Sequence, residues 1–443
     1  MTRLYEADAY DTTTWPDSHW RATAPEAPVC PPLSGVQTAD VAIIGAGYAG
    51  LNAALELVER FGMDVAVVEA AQPGWGASGR NGGFACPGGS KLSDAQLQRR
   101  YGAEAAREFR HYQDAAIDCV AENLDRYGID ADRGPRGEVM LAHRPRAWAL
   151  LRRRAEGQPG ARLIPRDALA EAGLDGPGFY GALIEPEGFP LHPLKYVQGL
   201  AAATLDAGVR LFGDTQVQRL TRDGDGWRLH GAQGTLRARR VLVATNGYSS
   251  DDLPDWIGGR TLPALSSILV TRKLSETETA RQGWTTQRMA FDSRRLLHYF
   301  RLLPCGRFLF GTRGGLSARP DRMAATQRMA RAHFDTLFPA WRDVETERSW
   351  SGLVCLTGSL TPFAGAVPDR PGLYAAFGWH GNGVSAASLA GRRIAHAMAG
   401  RPNPAPALMQ RPPRRFPLPA LRRSWLRLAY IAYGIADGPV RGG

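Results

Sequence analysis

Lysine is nearly missing from this 443-residue chain: Lys91, Lys195 and Lys273 are the only three, so its 54 basic residues are almost all arginine. The net charge of +11 therefore comes from arginines spread along the chain rather than from a basic stripe, which argues against a nucleic-acid partner. A positive field of this kind favours at most an anionic substrate or a membrane surface. Cysteine is sparse too. Cys30, Cys86, Cys119, Cys305 and Cys355 are scattered, without a C-x-x-C pair or metal-ligand spacing. That excludes a disulfide framework, offers no metal site, and implies reduced thiols that serve mostly as buried packing. No apolar run reaches the roughly 18 to 20 residues that span a bilayer. The first twenty residues lack the basic-then-apolar pattern of a secretory signal, so a cytoplasmic location is expected. No repeat or low-complexity block is present. The 44% hydrophobic content suits a sizeable core divided among two or three domains.

Glycine, by contrast, is abundant, and its placement is informative. Residues 40–69, DVAIIGAGYAGLNAALELVERFGMDVAVVE, read as strand, turn, helix and strand. Residues 41–44 are an apolar strand, and Gly45-Ala46-Gly47-Tyr48-Ala49-Gly50 is a G-x-G-x-x-G turn. Residues 51–61 carry apolar side chains at helical spacing, and 63–68 form a second strand closed by Glu69. Each residue type has a task in dinucleotide binding. Gly45 permits the tight turn, Gly47 lets backbone approach a pyrophosphate, and Gly50 lets helix and strand pack closely. The helix start offers unpaired N–H groups and a positive dipole end to phosphates. Glu69 is placed to accept hydrogen bonds from ribose hydroxyls. An ordinary βαβ turn needs no such combination. The motif by itself leaves FAD and a nicotinamide cofactor both open.

Residues 70–89, AAQPGWGASGRNGGFACPGG, form a loop dense in Gly, Ser and Asn, as expected where backbone runs along a ligand; a mobile surface loop is the alternative. The first 38 residues, rich in Pro, Thr and Trp, form an arm lying over the body and anchored by its tryptophans. Helices are expected over 92–128 and 195–207. Strands are expected at 138–142, 209–211, 217–220, 227–229 and 241–244, the last running into a second glycine turn, Thr245-Asn246-Gly247. A nicotinamide dehydrogenase needs only one such unit. A chain that leaves it and returns with a second turn suits a flavoprotein whose FAD domain is discontinuous. Further strands are expected at 266–271, 298–303 and 307–312, the last two joined by Pro304-Cys305-Gly306 as a hairpin, then a helix over 321–337. A strand at 373–377 leads into Gly378-Trp379-His380-Gly381-Asn382-Gly383-Val384, which opens a helix over 385–398. In a flavoprotein that turn would stabilise the charge of the reduced ring. The expected division is an arm at 1–38, an FAD-binding domain at 39–90, 195–258 and 346–400, and a substrate domain at 91–194 and 259–345. A tail at 401–443 carries a basic, apolar-striped helix over 421–435. That stripe is expected to pack on its own protein, with contact to a membrane surface as the alternative.

With GAGYAG, Glu69, GWGASGRNGG, Thr215-Gln216-Val217 and the late GNGV turn, the chain resembles the D-amino-acid oxidase, glycine oxidase and sarcosine oxidase superfamily of FAD enzymes. Within it, SGRNGG, the HYFR strand and the C-terminal RRSWLRLAYIAYGIADG look most like the γ-glutamylputrescine oxidase branch. The resemblance covers residues 38–438. It implies an α/β fold: a discontinuous Rossmann-like FAD-binding domain and an α+β substrate domain built on an antiparallel sheet that roofs the flavin. It implies FAD contacts at Gly45, Gly47, Ala49, Gly50, Glu69, Ala70, Ser78, Arg80, Asn81, Gly82, Gly83, Thr245, Gly381, Asn382, Gly383 and Val384, and at Val217, whose backbone would hold the adenine.

Three departures from the family pattern carry weight. Sarcosine oxidase attaches FAD to a cysteine just before a late Thr-Pro pair; Cys355 precedes Thr361-Pro362 by one residue too many, so non-covalent FAD is expected. That enzyme's oxygen-activating lysine falls, strand matched to strand, at Leu309, which counts against oxygen as acceptor. Its carboxylate-binding lysine falls at Ser385, which favours an amine with its carboxylate elsewhere over a small α-amino acid. The resemblance implies oxidation of the C–N bond of a γ-glutamylputrescine-like or related primary or secondary amine. The imine then hydrolyses to an aldehyde, and oxygen is reduced to hydrogen peroxide. No strong protein base is obligatory where the pocket desolvates the ammonium. Pocket candidates are Tyr299 to orient the amine, Arg301 or Arg313 to hold a substrate carboxylate, and His380 to set the ring's electronics. Their plain alternatives are sheet packing, a structural ion pair and a satisfied core histidine. The rival reading is an FAD dehydrogenase passing electrons to a quinone or protein carrier, which suits Leu309 and the basic tail. A flavin monooxygenase would show a G-D motif near the late turn, and GWHGNGV has none. A flavin-binding protein without catalysis is the remaining class.

Overall fold

The computed structural model describes residues 2–440. Two eight-stranded sheets carry the α/β architecture. The first is built on Gly35–Ile44, which pairs in parallel with Val65–Val68 on one side and Gly234–Val243 on the other. Arg210–Phe212 extends the sheet past Val65–Val68, and Leu373–Phe377 and Phe363–Ala366 extend it past Gly234–Val243. Residues 41–44 and 65–68 are buried on both faces, which is why they read as unbroken apolar runs rather than alternating ones. The helices Tyr48–Phe61 and Gly383–Met398 pack together over one face of this sheet. The first strand starts at Gly35, inside the expected arm, because Gly234–Val243 pairs with it from that residue onward.

The second sheet runs in the order Thr346–Thr357, Thr261–Thr271, Phe308–Gly315, His298–Leu302, Met289–Asp292, Glu138–Leu141, Gly181–Glu185, Arg162–Pro165. It is antiparallel except between Met289–Asp292 and Glu138–Leu141. One face rests on the helix Pro320–Leu337 through stacked aromatics that include Phe300, Phe308, Phe310, Phe334 and Phe338. Sequence grouped residues 346–357 with the FAD-binding segments. They pair instead along nearly their whole length with Thr261–Thr271. The alternating burial of that strand fits a sheet with one packed face, not the fully buried parallel one.

Two further expectations change. The helix over 92–128 is two helices, Asp94–Tyr101 and Ala103–Arg126, broken at Gly102, whose φ of 92° no helix can carry through. The tail helix, Arg422–Asp437, packs on its own protein only in part: Leu426 and Tyr430 meet Leu262 and Ala264, Arg422 and Arg423 turn toward the body, and a second apolar row stays in the open. The arm does lie on the body through a tryptophan: Trp20 is buried and donates its indole N–H to the Asn81 carbonyl at 2.8 Å. The body answers with Trp75, which donates to the Thr14 carbonyl at 2.9 Å.

Candidate cofactor and substrate site

Three adjacent parallel strands end at one place. Ile44, Val68 and Val243 lead into Gly45, Glu69 and the Ala244-Thr245 turn, and all three ends open into a cavity of about 1200 Å³ roofed by the second sheet. Ligands of open α/β sheets bind at such carboxyl ends. The closeness of strand and helix there is set by Gly50, where a Cβ would sit 2.0 Å from the Gly45 carbonyl oxygen. No side chain caps the helix Tyr48–Phe61 or the helix Gly383–Met398 from its N-cap position, and both starts face the cavity. Ser78 partly compensates the first, its Oγ accepting from the Tyr48 N–H at 3.2 Å. Helix starts left this bare at a cavity are satisfied by water or by a ligand, and both suit an anion.

The acid at the second strand's end is equally poised. The Glu69 carboxylate accepts from the Ala46 N–H at 2.7 Å and the Ala71 N–H at 3.2 Å, has no cationic partner among the described residues, and has its pKa raised by burial. Its oxygens border the cavity where ribose hydroxyls would donate. Ala49, Ala70, Ser78, Arg80, Asn81, Gly82, Val217, Thr245, Gly381, Asn382, Gly383 and Val384 also line the cavity, with Gly45 and Gly47. Gly50 and Gly83 do not. They act behind the wall: a Cβ on Gly83 would fall 1.9 Å from the Leu191 carbonyl oxygen. Asn81 folds its own loop, accepting from the Gly83 N–H at 2.8 Å and donating to the Ser78 carbonyl at 2.9 Å. Arg80 lies 4.2 Å over the Trp75 ring and donates to the Trp75 carbonyl, with one terminal nitrogen left without a partner. Bare helix starts, a buried acid and glycine-walled turns fit FAD. The first turn and Ser78 would hold the pyrophosphate, Glu69 the ribose, Val217 the adenine, and residues 381–384 the ring.

The four substrate-pocket candidates divide into two pairs. Tyr299 and Arg313 line the cavity; Arg301 and His380 do not. The Tyr299 hydroxyl is 3.0 Å from Ser266 Oγ, and burial raises its pKa. The Arg313 guanidinium makes no hydrogen bond among the described residues and lies against the Gly381 turn; burial lowers its pKa. Arg301 shares the strand face of Tyr299, but Trp20 covers it. Its guanidinium sits 5.4 Å from that ring and donates to the Leu191 carbonyl at 2.6 Å, and burial lowers its pKa to about 9. His380 is fully buried: Nδ1 lies 2.9 Å from the Gly89 carbonyl oxygen, and Nε2 accepts from the Thr357 N–H at 3.2 Å. Those contacts fix the Nδ1–H tautomer, and burial pushes its pKa down to about 3. It is a neutral rivet between three segments. Leu309 and Ser385 are likewise buried off the cavity. Cys355 borders it, with its thiol pushed up to about 12 by burial.

Sequence reading passed over a second group. Glu138 and Glu185 are cross-strand partners on the cavity wall. Arg154 pairs bidentately with Glu185 at 2.9 and 2.8 Å, which leaves Glu138 without a cation among the described residues. Burial first, and then Glu185, push the Glu138 carboxyl up to about 8. The Cys86 thiol lies beside it and accepts from Asn382 Nδ2 at 3.3 Å. Lys91 also reaches the cavity, and burial and the neighbouring Arg313 hold its pKa well below lysine's ordinary value. The only sequence hint was an acid opening the apolar run EVML. Among the described residues no group of three His, Cys, Asp or Glu side chains is placed to hold a metal ion.

Comparison with known proteins agrees with the cofactor geometry. Residues 40–397 match the DAO family of FAD dependent oxidoreductases. The chain is 32% identical over 409 residues to gamma-glutamylputrescine oxidoreductase of Escherichia coli, covering 90% of this chain and 92% of that one. It is 32% identical over 379 residues to the probable oxidoreductase OrdL of Haemophilus influenzae, covering 84% and 85%. Glycine oxidase from Geobacillus kaustophilus superposes with a TM-score of 0.69 at 23% identity, over 84% of this chain and 98% of that one, a likeness of fold. The chain belongs to the DAO family and is an FAD-dependent oxidoreductase.

Proposed function

We propose that this enzyme oxidises the C–N bond of an amine, of the γ-glutamylputrescine type or a related primary or secondary amine, to an imine that hydrolyses to an aldehyde. FAD, held non-covalently in the cavity, supplies the two-electron oxidant and is reoxidised by oxygen. For a primary amine the balance is amine, water and oxygen going to aldehyde, ammonia and hydrogen peroxide. The observation that carries the amine reading is Glu138, a buried carboxyl on the cavity wall with no cation of its own. A substrate ammonium brought beside it favours the ionised carboxylate and supplies the countercharge that burial otherwise denies it. The name of the Escherichia coli relative supports the same class.

The remaining groups have roles that follow from position. An amine must be neutral at nitrogen before it can lose hydride, so a group on the wall has to take its proton. Lys91 on the cavity wall, whose pKa burial and Arg313 lower well below lysine's ordinary value, is the group assigned to take it. The Tyr299 and Ser266 hydroxyl pair orients the nitrogen, and Arg313 holds a carboxylate on substrates that carry one. The buried Cys355 thiol is too basic to serve as an attachment point, which supports non-covalent FAD. A dehydrogenase using a quinone or protein carrier is favoured by one observation. Leu309, the counterpart of a related oxidase's lysine, is packed in the core.

Anaerobic mixing with polyamines, γ-glutamyl amines and N-methyl amino acids tests this reading. The expected result is loss of the flavin's visible absorbance with at least one amine, and its return in air with hydrogen peroxide. Bleaching by none refutes amine oxidation. Bleaching followed by very slow recovery in air selects the carrier-linked dehydrogenase.

A further inference from the structure

A helix on a folded protein ordinarily turns its apolar stripe inward. Arg422–Asp437 buries only part of its apolar surface, Leu426 with half-buried Tyr430 against Leu262 and Ala264, and its ion pairs hold the remainder outward. Arg422 is buried and donates to Asp251 at 2.5 Å. Arg423 donates to Glu6 and to the Leu316 carbonyl, each at 2.6 Å. At the far end Asp437 accepts from the Arg295 and Leu296 N–H groups at 2.9 Å. The outward side therefore presents Leu421, Trp425, Leu428, Ile431 and Ile435 at helical spacing, with exposures from 42% at Trp425 to 79% at Ile435. This apolar row is about 20 Å long at the helical rise per residue. A contiguous patch of that kind marks a contact surface.

Charge selects the occupant. From residue 401 to 440 the only acidic residue is Asp437, which is buried, whereas Arg427 on the helix and Arg415 just before it are exposed. A second copy would bring the same arginines face to face. An anionic lipid surface complements both the row and the charge. Trp425 suits the boundary between headgroups and chains: its ring is open to solvent while its N–H donates to the Pro417 carbonyl at 3.0 Å. No helix among the described residues is long and apolar enough to cross a membrane.

We propose that the tail helix is a docking surface for an anionic bilayer, lying in the headgroup plane with Leu421, Trp425, Leu428, Ile431 and Ile435 inserted. The surface is independent of which amine the enzyme oxidises. Its test uses the full-length, FAD-loaded protein in flotation with phosphatidylcholine vesicles, with and without phosphatidylglycerol. The wild type is expected to float with the anionic vesicles only, and less at high salt. Leu428→Glu with Ile435→Glu is expected to weaken binding by about tenfold or more, with flavin content and Tm unchanged. Leu428→Ser with Ile435→Ser serves as the milder pair if the acidic one folds poorly. Failure of the wild type to float with anionic vesicles overturns the proposal, as does binding that ignores both pairs of substitutions. A wild-type dimer that the substitutions split, without vesicle binding, overturns it in favour of a second copy.

Discussion

Gly50→Ala is the sharpest perturbation of the cofactor site, because its added atom has nowhere to go. The new Cβ would lie 2.0 Å from the Gly45 carbonyl oxygen and 3.2 Å from Ile43 Cγ2. Ordinary contact needs about 3.5 Å, and the blocking atom is backbone at the end of a central strand. The helix start must therefore retreat by roughly 1 Å or more, with overpacking of this kind costing about 1–3 kcal/mol of stability. Its N–H groups retreat with it. A hydrogen bond to a charged group is worth about 1.5–3 kcal/mol, so losing two raises the Kd for FAD by roughly a hundredfold to ten-thousandfold. Stripping the flavin and titrating it back measures that Kd, and Tm of the apoprotein measures the packing strain. Gly434→Ala is the control: nothing lies within 4 Å of that position in an exposed helix. It is expected to keep full flavin and gain about 0.5–1 kcal/mol. A Gly50→Ala protein with wild-type FAD affinity refutes the reasoning.

Glu138→Gln is expected to raise KM for ammonium substrates about tenfold or more with a much smaller change in kcat. Its stability effect has a sign. The folded carboxyl, at about 8, holds a proton that the unfolded one has already lost, so the wild type loses stability as pH rises from about 4.3 to about 8. The Tm advantage of Glu138→Gln is therefore expected to grow across that window, and an advantage that is flat in pH counts against a buried, uncompensated acid. Arg313→Met is expected to raise KM about tenfold or more for amines bearing a carboxylate and to spare those without one. Arg301→Met is expected to lower Tm without altering that selectivity. Equal selectivity changes in both variants would erase the distinction drawn between them. His380→Ala strands the Thr357 N–H and the Gly89 carbonyl, and is expected to cost about 2–5 kcal/mol in chemical denaturation. The same histidine, neutral in the fold, makes the wild type lose stability as pH falls below about 6.5.

What could be read from the sequence was local. The strand, glycine turn, helix and acid of residues 40–69 are consecutive, so period and residue type suffice, and the late turn feeding the helix Gly383–Met398 was visible on the same terms. What escaped depends on partners far along the chain. Residues 346–357 look like any strand until Thr261–Thr271 is beside them. The two-residue period puts Tyr299 and Arg301 on one face, but only the arm's Trp20 decides that one reaches the cavity and the other is covered. Glu138 and Glu185 become a pair only when their strands meet. The tail helix shows a clear stripe, yet Asp251 and Glu6 determine which way it turns.

The indole of Trp20, hooked to the Asn81 carbonyl, has a practical consequence. The beginning of the polypeptide and the loop expected to cradle the flavin are latched together and must loosen together. Emptying the enzyme of FAD is expected to slacken that loop and with it the part of the arm around Trp20, while Glu6 stays tied to Arg423. A protease that trims the amino end then becomes a gauge of cofactor occupancy that needs no optical signal.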